Sequence, residues 1–284
     1  MLDSLPELSI LRRSWSEYAA EGSTHAVRVH EVVIGGTEPV IIAGPCAVES
    51  LDQTLNIARA VRAAGGHLLR GGAFKPRTSP HSFQGLGVEG LEILAEVKRE
   101  TGLGIVTEVM DPRLVEAVAR HADMLQIGSR SMQNYPLLTE VGRAGKPVLL
   151  KRGWCATLEE WLCAAEYVAL GGCRDIVLCE RGVRTSCHWS YARSVLDLNV
   201  IEPVRRATPL PILADPSHAT GQWRLVAPMS LAAVAAGAHG LLIEVVESGA
   251  DRARLKSDAE QGVPPGILAE IVSGVRAVGG GNEG

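Results

Sequence analysis

Ionisable side chains close the short apolar runs of this 284-residue sequence: Cys46 after PVIIAGP, Arg70 after HLL, Glu108 after GIVT, Lys151 after PVLL, Glu180 after DIVLC, Asp215 after PILA and Glu244 after LLI. Lys75, Arg77, Gln126, Arg130, Arg152, Arg181 and His218 follow at short distances. Two chemistries suit such a set. The Arg and Lys members would repel one another in a shared cavity unless an anion neutralised them, and guanidinium forks match the oxygens of phosphate and carboxylate. Any one of them could equally be a solvated salt-bridge partner; as a set they point to phosphorylated ligands. Cys46, His218 and Glu244 offer a thiol, an imidazole and a carboxylate, which together suit a borderline divalent ion such as Zn²⁺, Mn²⁺, Fe²⁺ or Co²⁺. On spacing alone a packed interior suits Cys46 and His218 as well, because lone Cys and His are commonly core residues.

For these residues to meet, the runs that carry them must converge. Eight runs of strand length, 39–44, 67–72, 104–109, 124–129, 147–152, 175–180, 211–216 and 241–246, alternate with segments of helical period at 51–64, 89–101, 112–121, 157–170 and 225–237. That is the grammar of repeated βα units. A doubly wound open sheet would carry a G-x-G-x-x-G turn after its first strand, and none is present. Eight repeats favour a closed (β/α)8 barrel of the TIM type, in which strand C-terminal ends share one face and chemistry gathers there. By the same logic His239, which precedes the last run, belongs to the opposite rim. Cys155, Cys163 and Cys173 read as packing residues, and Trp154, Trp161, Trp189 and Trp223 are too dispersed for a base-stacking platform. Residues 1–30 read as an N-terminal extension of weak helix and linker. The stretch 27–36 alternates like a short hairpin that would plug the barrel, 31–278 form one catalytic barrel, and 279–284 form a flexible tail.

Bulk properties narrow the partners. Net charge is −4 and the basic residues are scattered singly, which argues against nucleic acid. No stretch approaches the ~20 apolar residues of a membrane helix, and the start has no secretory pattern. Six cysteines without a C-x-x-C pair fit reduced thiols in a cytoplasm.

Longer motifs then add up. IIAGPCAVES, LLRGGAFKPRTSPHSFQGLG, VTEVMD, LQIGSRSMQNYPLL, KPVLLKRG, LCERGVRT, LPILADPSHATG and GAHGLLIEV together resemble the 3-deoxy-D-arabino-heptulosonate 7-phosphate (DAHP) synthases, in the branch close to the 3-deoxy-D-manno-octulosonate 8-phosphate synthases. The resemblance runs from about residue 31 to 275. It implies a metal-dependent (β/α)8 barrel that condenses phosphoenolpyruvate with erythrose 4-phosphate, the entry to the shikimate pathway, and that works as a homo-oligomer, tetramer or dimer.

Carried onto matching positions, the resemblance implies Cys46, His218, Glu244 and Asp258 as metal ligands. Phosphoenolpyruvate falls to Arg70, Lys75, Ser129, Arg130, Lys151 and Arg181, and erythrose 4-phosphate to Lys75, Pro76, Arg77 and Thr78. Octulosonate synthases carry a KANRS-like segment where this chain has KPRT. Lys151, His218 and Glu108 are the candidates for moving protons, with Lys151 the acid. Two segments depart from the pattern: SCHWSYARSVLD after LCERGVRT, and ESGADRARLKSDAEQG after the last run, are longer and differently composed. They loosen the assignment of Asp258 and leave room for a specialised-pathway enzyme with another aldose phosphate. Residues 1–30 are too short for a fused regulatory domain, so no intrinsic feedback by aromatic amino acids is expected, which leaves room for a separate regulatory partner.

Overall fold

The computed structural model describes Leu11 and residues 24–186, 190–258 and 260–279. Most of the extension expected over 1–30, the tail beyond Gly279 and part of the segment 185–196 therefore lie outside the described residues. Eight parallel strands close into a barrel: β3 (Val40–Gly44), β4 (Leu68–Arg70), β5 (Gly104–Glu108), β6 (Met124–Ile127), β7 (Val148–Lys151), β8 (Ile176–Glu180), β9 (Ile212–Ala214) and β10 (Gly240–Glu244). Each pairs with its neighbours in sequence, and β10 returns to β3 in the register Gly240↔Val40 through Glu244↔Gly44. All eight are buried along their whole length, which is why they read as continuous apolar runs with no alternation.

Two apolar layers hold the barrel. Inward-facing Val40, Ile42, Leu68, Val106, Met124, Leu149, Val177, Leu213 and Leu242 fill its interior, while Ile41, Leu69, Ile105, Leu125, Leu150, Leu178 and Leu241 face the surrounding helices. The interior cluster includes Val27, Val29 and Ile34, from a hairpin of β1 (Val27–Val29) and β2 (Val32–Ile34) that turns tightly at His30, with its positive φ of 53°. This hairpin plugs the barrel at the N-terminal end of the strands, leaving the C-terminal rim for chemistry. The boundary expected at residue 30 falls in its turn.

The helices start where local chemistry says they should. Ser50 caps Leu51–Ala63 by accepting from Gln53 N–H, and Thr157 and Glu160 form a reciprocal capping box on Leu158–Leu170. Trp161, fully buried in the latter, donates its indole N–H to the carbonyl of Leu150 at 3.2 Å and so locks that helix to β7. Helices Val88–Thr101 and Trp223–Ala235 match expectation closely, whereas 112–121 is a 3-10 turn followed by Val115–Ala119. A five-residue helix, Pro216–Thr220, was not evident from periodicity because it is barely longer than one turn. Among the described residues no helix is long and apolar enough to cross a membrane.

At the plugged rim His239 accepts from Ile212 N–H through Nδ1 at 3.1 Å and lies 3.2 Å from Thr24 Oγ1 through Nε2. The neutral ring satisfies both, and burial, aided by Arg205, pushes its pKa down to about 4. The unfolded chain therefore binds a proton that the folded chain refuses between about pH 6.5 and 4, and stability is lost as pH falls through that window. In denaturant titrations His239→Asn, which keeps an acceptor, should narrow its stability deficit against the parent by roughly 1–3 kcal/mol between pH 7 and pH 4.5.

Candidate active site

The C-terminal rim encloses a cavity of about 450 Å³. Lys75, Pro76, Arg77 and Thr78, after β4, line one side; Ser129 and Arg130, after β6, and Lys151, at the end of β7, line another. Glu108, Arg181, His218 and Asp258 complete the expected residues on its wall, joined by Trp154, Arg184 and Arg193. Cys46, Arg70 and Glu244 are buried and lie off this wall, and Cys46, Glu244 and Asp258 line a smaller recess alongside.

Backbone geometry brings the deep residues together. β3 ends at Gly44, where a Cβ would collide with the carbonyl oxygen of Arg70, so only glycine lets β3 approach β4 this closely. Two residues later Cys46 turns inward beneath Lys75, whose Nζ lies 3.2 Å from Sγ and 3.1 Å from the Cys46 carbonyl. Glu244 ends β10 directly opposite Gly44 in register. His218 sits in the turn Pro216–Thr220 that Asp215 caps by accepting from His218 N–H at 2.9 Å.

One ligand atom each from Cys46, His218 and Glu244 falls within 4.8 Å of the other two. Their supports are specific. His218 Nδ1 bonds Asp215 Oδ2 at 2.8 Å, Asp215 Oδ2 also accepts from Lys151 Nζ at 2.6 Å, and Glu244 accepts from Arg70 at 2.8 Å and from Gln261 at 2.5 Å. Burial disfavours ionised Asp215, but His218 and Lys151 outweigh it and hold its carboxyl well below the usual carboxylate range. Burial likewise opposes the Glu244 carboxylate, yet His218, Arg70 and Lys75 bring its pKa down to about 2. Burial pushes the His218 imidazole down to about 4 against the pull of both carboxylates. The neutral tautomer that satisfies Asp215 carries its proton on Nδ1. Its Nε2 lone pair then faces Glu244 Oε1 at 3.2 Å, two acceptors with nothing to share. Burial, with the negative charge of Glu244, also keeps the Cys46 thiol protonated. A divalent cation between the three would relieve the first conflict and convert the thiol to thiolate. The donor set therefore fits a metal, with Asp215 as the outer carboxylate that orients the histidine.

Asp258 lines both the main cavity and the recess it shares with Cys46 and Glu244. It lies on the cavity wall outside the three-residue cluster, with Oδ2 3.6 Å from Arg193 NH1. The two partners come from the two segments whose sequences depart from the family pattern.

The walls are cationic. Arg77, Arg130, Arg181 and Arg184 form no ion pair among the described residues. Burial works against the charged forms of Arg130 and Arg181, a cost that an anion would offset. Glu108 is buried too; Oε2 accepts from Gln126 at 3.0 Å, while Oε1 has no hydrogen-bond partner. Behind the wall Arg152 spans Glu180 at 3.1 Å and Asp197 at 2.8 Å, anchoring the segment that carries Arg181 and Arg184. Trp154, Arg184 and Arg193 were missed as site residues. Trp154 directly follows KRG at a strand end, which was the available signal.

The model of the DAHP synthetase I family matches residues 18–274. The chain is 45% identical over 242 residues to the phospho-2-dehydro-3-deoxyheptonate aldolase of Thermotoga maritima, covering 85% of this chain and 70% of that protein. It is 37% identical over 238 residues to a 2-dehydro-3-deoxyphosphooctonate aldolase of Syntrophotalea carbinolica, covering 77% and 84%. The crystal structure of the Thermotoga maritima DAHP synthase superposes with a TM-score of 0.86 at 41% identity, over 94% of this chain and 75% of that one.

The metal-site geometry makes a graded prediction. Asp215→Asn should weaken divalent-metal binding about 10–100-fold by loosening His218, and Cys46→Ala should weaken it further. Calorimetric titration of Mn²⁺ or Zn²⁺ into chelator-stripped protein measures both.

Proposed function

The chain belongs to the DAHP synthetase I family, and from that premise we propose that it joins phosphoenolpyruvate to D-erythrose 4-phosphate, with water, to give DAHP and phosphate. The observation that carries the reading is the cavity itself: four arginines with no ion pair among the described residues line its wall, and a thiol, an imidazole and a carboxylate converge at its floor. A two-phosphate substrate pair needs the first, and an aldehyde electrophile is served by the second.

Cys46, His218 and Glu244 hold the divalent ion, Mn²⁺, Co²⁺, Fe²⁺ or Zn²⁺, which when bound supplies Lewis-acid activation of the aldehyde. Asp258, which lines the recess shared with Cys46 and Glu244, is the fourth ligand that the family resemblance implies. Arg130, Arg181 and Lys151, with Arg70, Lys75 and Ser129 beneath and beside them, bind phosphoenolpyruvate through its phosphate and carboxylate. Lys75, Pro76, Arg77 and Thr78 orient the phosphate of the sugar. Fixing both partners in this way contributes proximity, worth roughly 7–11 kcal/mol where alignment is good.

As C3 of phosphoenolpyruvate bonds to the aldehyde carbon, Lys151 Nζ delivers a proton to the aldehyde oxygen, and its tie to Asp215 keeps it aimed. Glu108, with Oε1 lacking a partner, accepts a proton from the water that adds at C2. The C2–O bond to phosphate then breaks as the C2 hydroxyl gives up its proton to become the ketone, and the phosphate leaves carrying that proton. The thiol chemistry of Cys46 requires a reducing compartment, which supports a cytoplasmic setting.

A second reading keeps the chemistry and changes the sugar. Arg193 and Asp258, from the two divergent segments, both line the cavity and would meet an acceptor longer than erythrose 4-phosphate.

Phosphate release discriminates these. With phosphoenolpyruvate and Mn²⁺, erythrose 4-phosphate should be consumed at least about tenfold faster than arabinose 5-phosphate, and chelation should stop both. Reversed preference would favour the second reading. Lys151→Met should lower kcat by about 10²–10⁴-fold; near-normal turnover would remove it from the mechanism.

A further inference from the structure

The cationic wall is organised around one ring. The guanidinium carbons of Arg184, Arg130 and Arg181 stand 3.8, 4.7 and 5.7 Å from the ring centroid of Trp154. These residues come from three different strand ends: Arg130 follows β6, Trp154 follows β7, and Arg181 and Arg184 follow β8. The backbone strengthens the junction, since Arg184 N–H donates to the Trp154 carbonyl at 2.8 Å.

Three like charges at the edge of one cavity should splay apart in the absence of an anion. Arg181 is held by two long hydrogen bonds to carbonyls, Gly182 at 3.5 Å and His218 at 3.4 Å, and no ion pair fixes any of the three among the described residues. Behind the ring a second cavity of about 380 Å³, lined in part by Arg130, Trp154, Met132 and Glu160, gives Arg130 space and a carboxylate to turn towards. The indole stands between the two cavities, and its electron-rich face attracts the cations that repel one another.

We propose that Trp154 is a positioning residue: its ring preorganises Arg130, Arg181 and Arg184 before substrate arrives, and so sets the affinity for phosphoenolpyruvate. The inference rests on the reading that Arg130 and Arg181 hold that substrate. Trp154 touches the cations and leaves the bond-making atoms to others, so its removal should act on binding and spare turnover.

The test compares Trp154→Leu, which fills space without a ring quadrupole, with Trp154→Phe, which keeps an aromatic face. Trp154→Leu should raise the KM for phosphoenolpyruvate, and its calorimetric Kd in the absence of sugar, about tenfold, with kcat and the erythrose 4-phosphate KM within about threefold of the parent. Trp154→Phe should recover most of the affinity. An unchanged Kd in Trp154→Leu overturns the inference, as does equal weakening in Leu and Phe, which would mark simple packing, or a fall in kcat with KM unchanged. Should the Leu variant not fold by circular dichroism, Trp154→Met takes its place with the same expectations. Parent protein that binds phosphoenolpyruvate but turns over neither sugar phosphate would count against the proposed function alone, and the Kd comparison would then decide on Trp154. Parent protein that does not bind it overturns both.

Discussion

A run of close polar contacts crosses the barrel's open end, with the neutral His218 between two buried ion pairs: Arg70 to Glu244 at 2.8 Å, Glu244 to His218 at 3.2 Å, His218 to Asp215 at 2.8 Å, Asp215 to Lys151 at 2.6 Å. Arg70, Glu244, Asp215 and Lys151 are nearly excluded from water, so each of these charges depends on its neighbours for compensation. Its members stand at or just after the ends of β4, β10, β9 and β7, so four strands must sit in register for the run to exist. Fold closure and site assembly are one constraint here. Removing a single charged member would strand the next.

The barrel was readable because parallel strands buried on both sides are written as uninterrupted apolar runs, and all eight were marked by what ends them. The hairpin that plugs the base was readable from alternation at Val27, Val29 and Ile34. The gathering of Cys46, His218 and Glu244 followed only once the runs were taken to converge, because no local spacing joins them. Resemblance over many ordered motifs supplied the rest of that expectation. What escaped was written in no periodicity. Trp154 looked like one dispersed aromatic among several because its partners, Arg130, Arg181 and Arg184, are distant in sequence and adjacent only across three loops.

The two departures from the family pattern meet over the same opening. Arg193 and Asp258 form a partly exposed contact at 3.6 Å, a geometry that contributes little to stability on its own. Both side chains nonetheless line the cavity, so the two segments share one wall of the opening.

The seam where β10 meets β3 has a consequence for how the protein comes into being. Cys46 follows the first strand of the barrel and Glu244 ends the last, in register with Gly44. During synthesis the thiol leaves the ribosome long before the carboxylate that completes its ligand group has been translated. No partial barrel can present all three donors together. An ion that needs all three could be captured only after β10 has been translated and has docked, and once bound it would stabilise the closed barrel over forms in which β10 is absent.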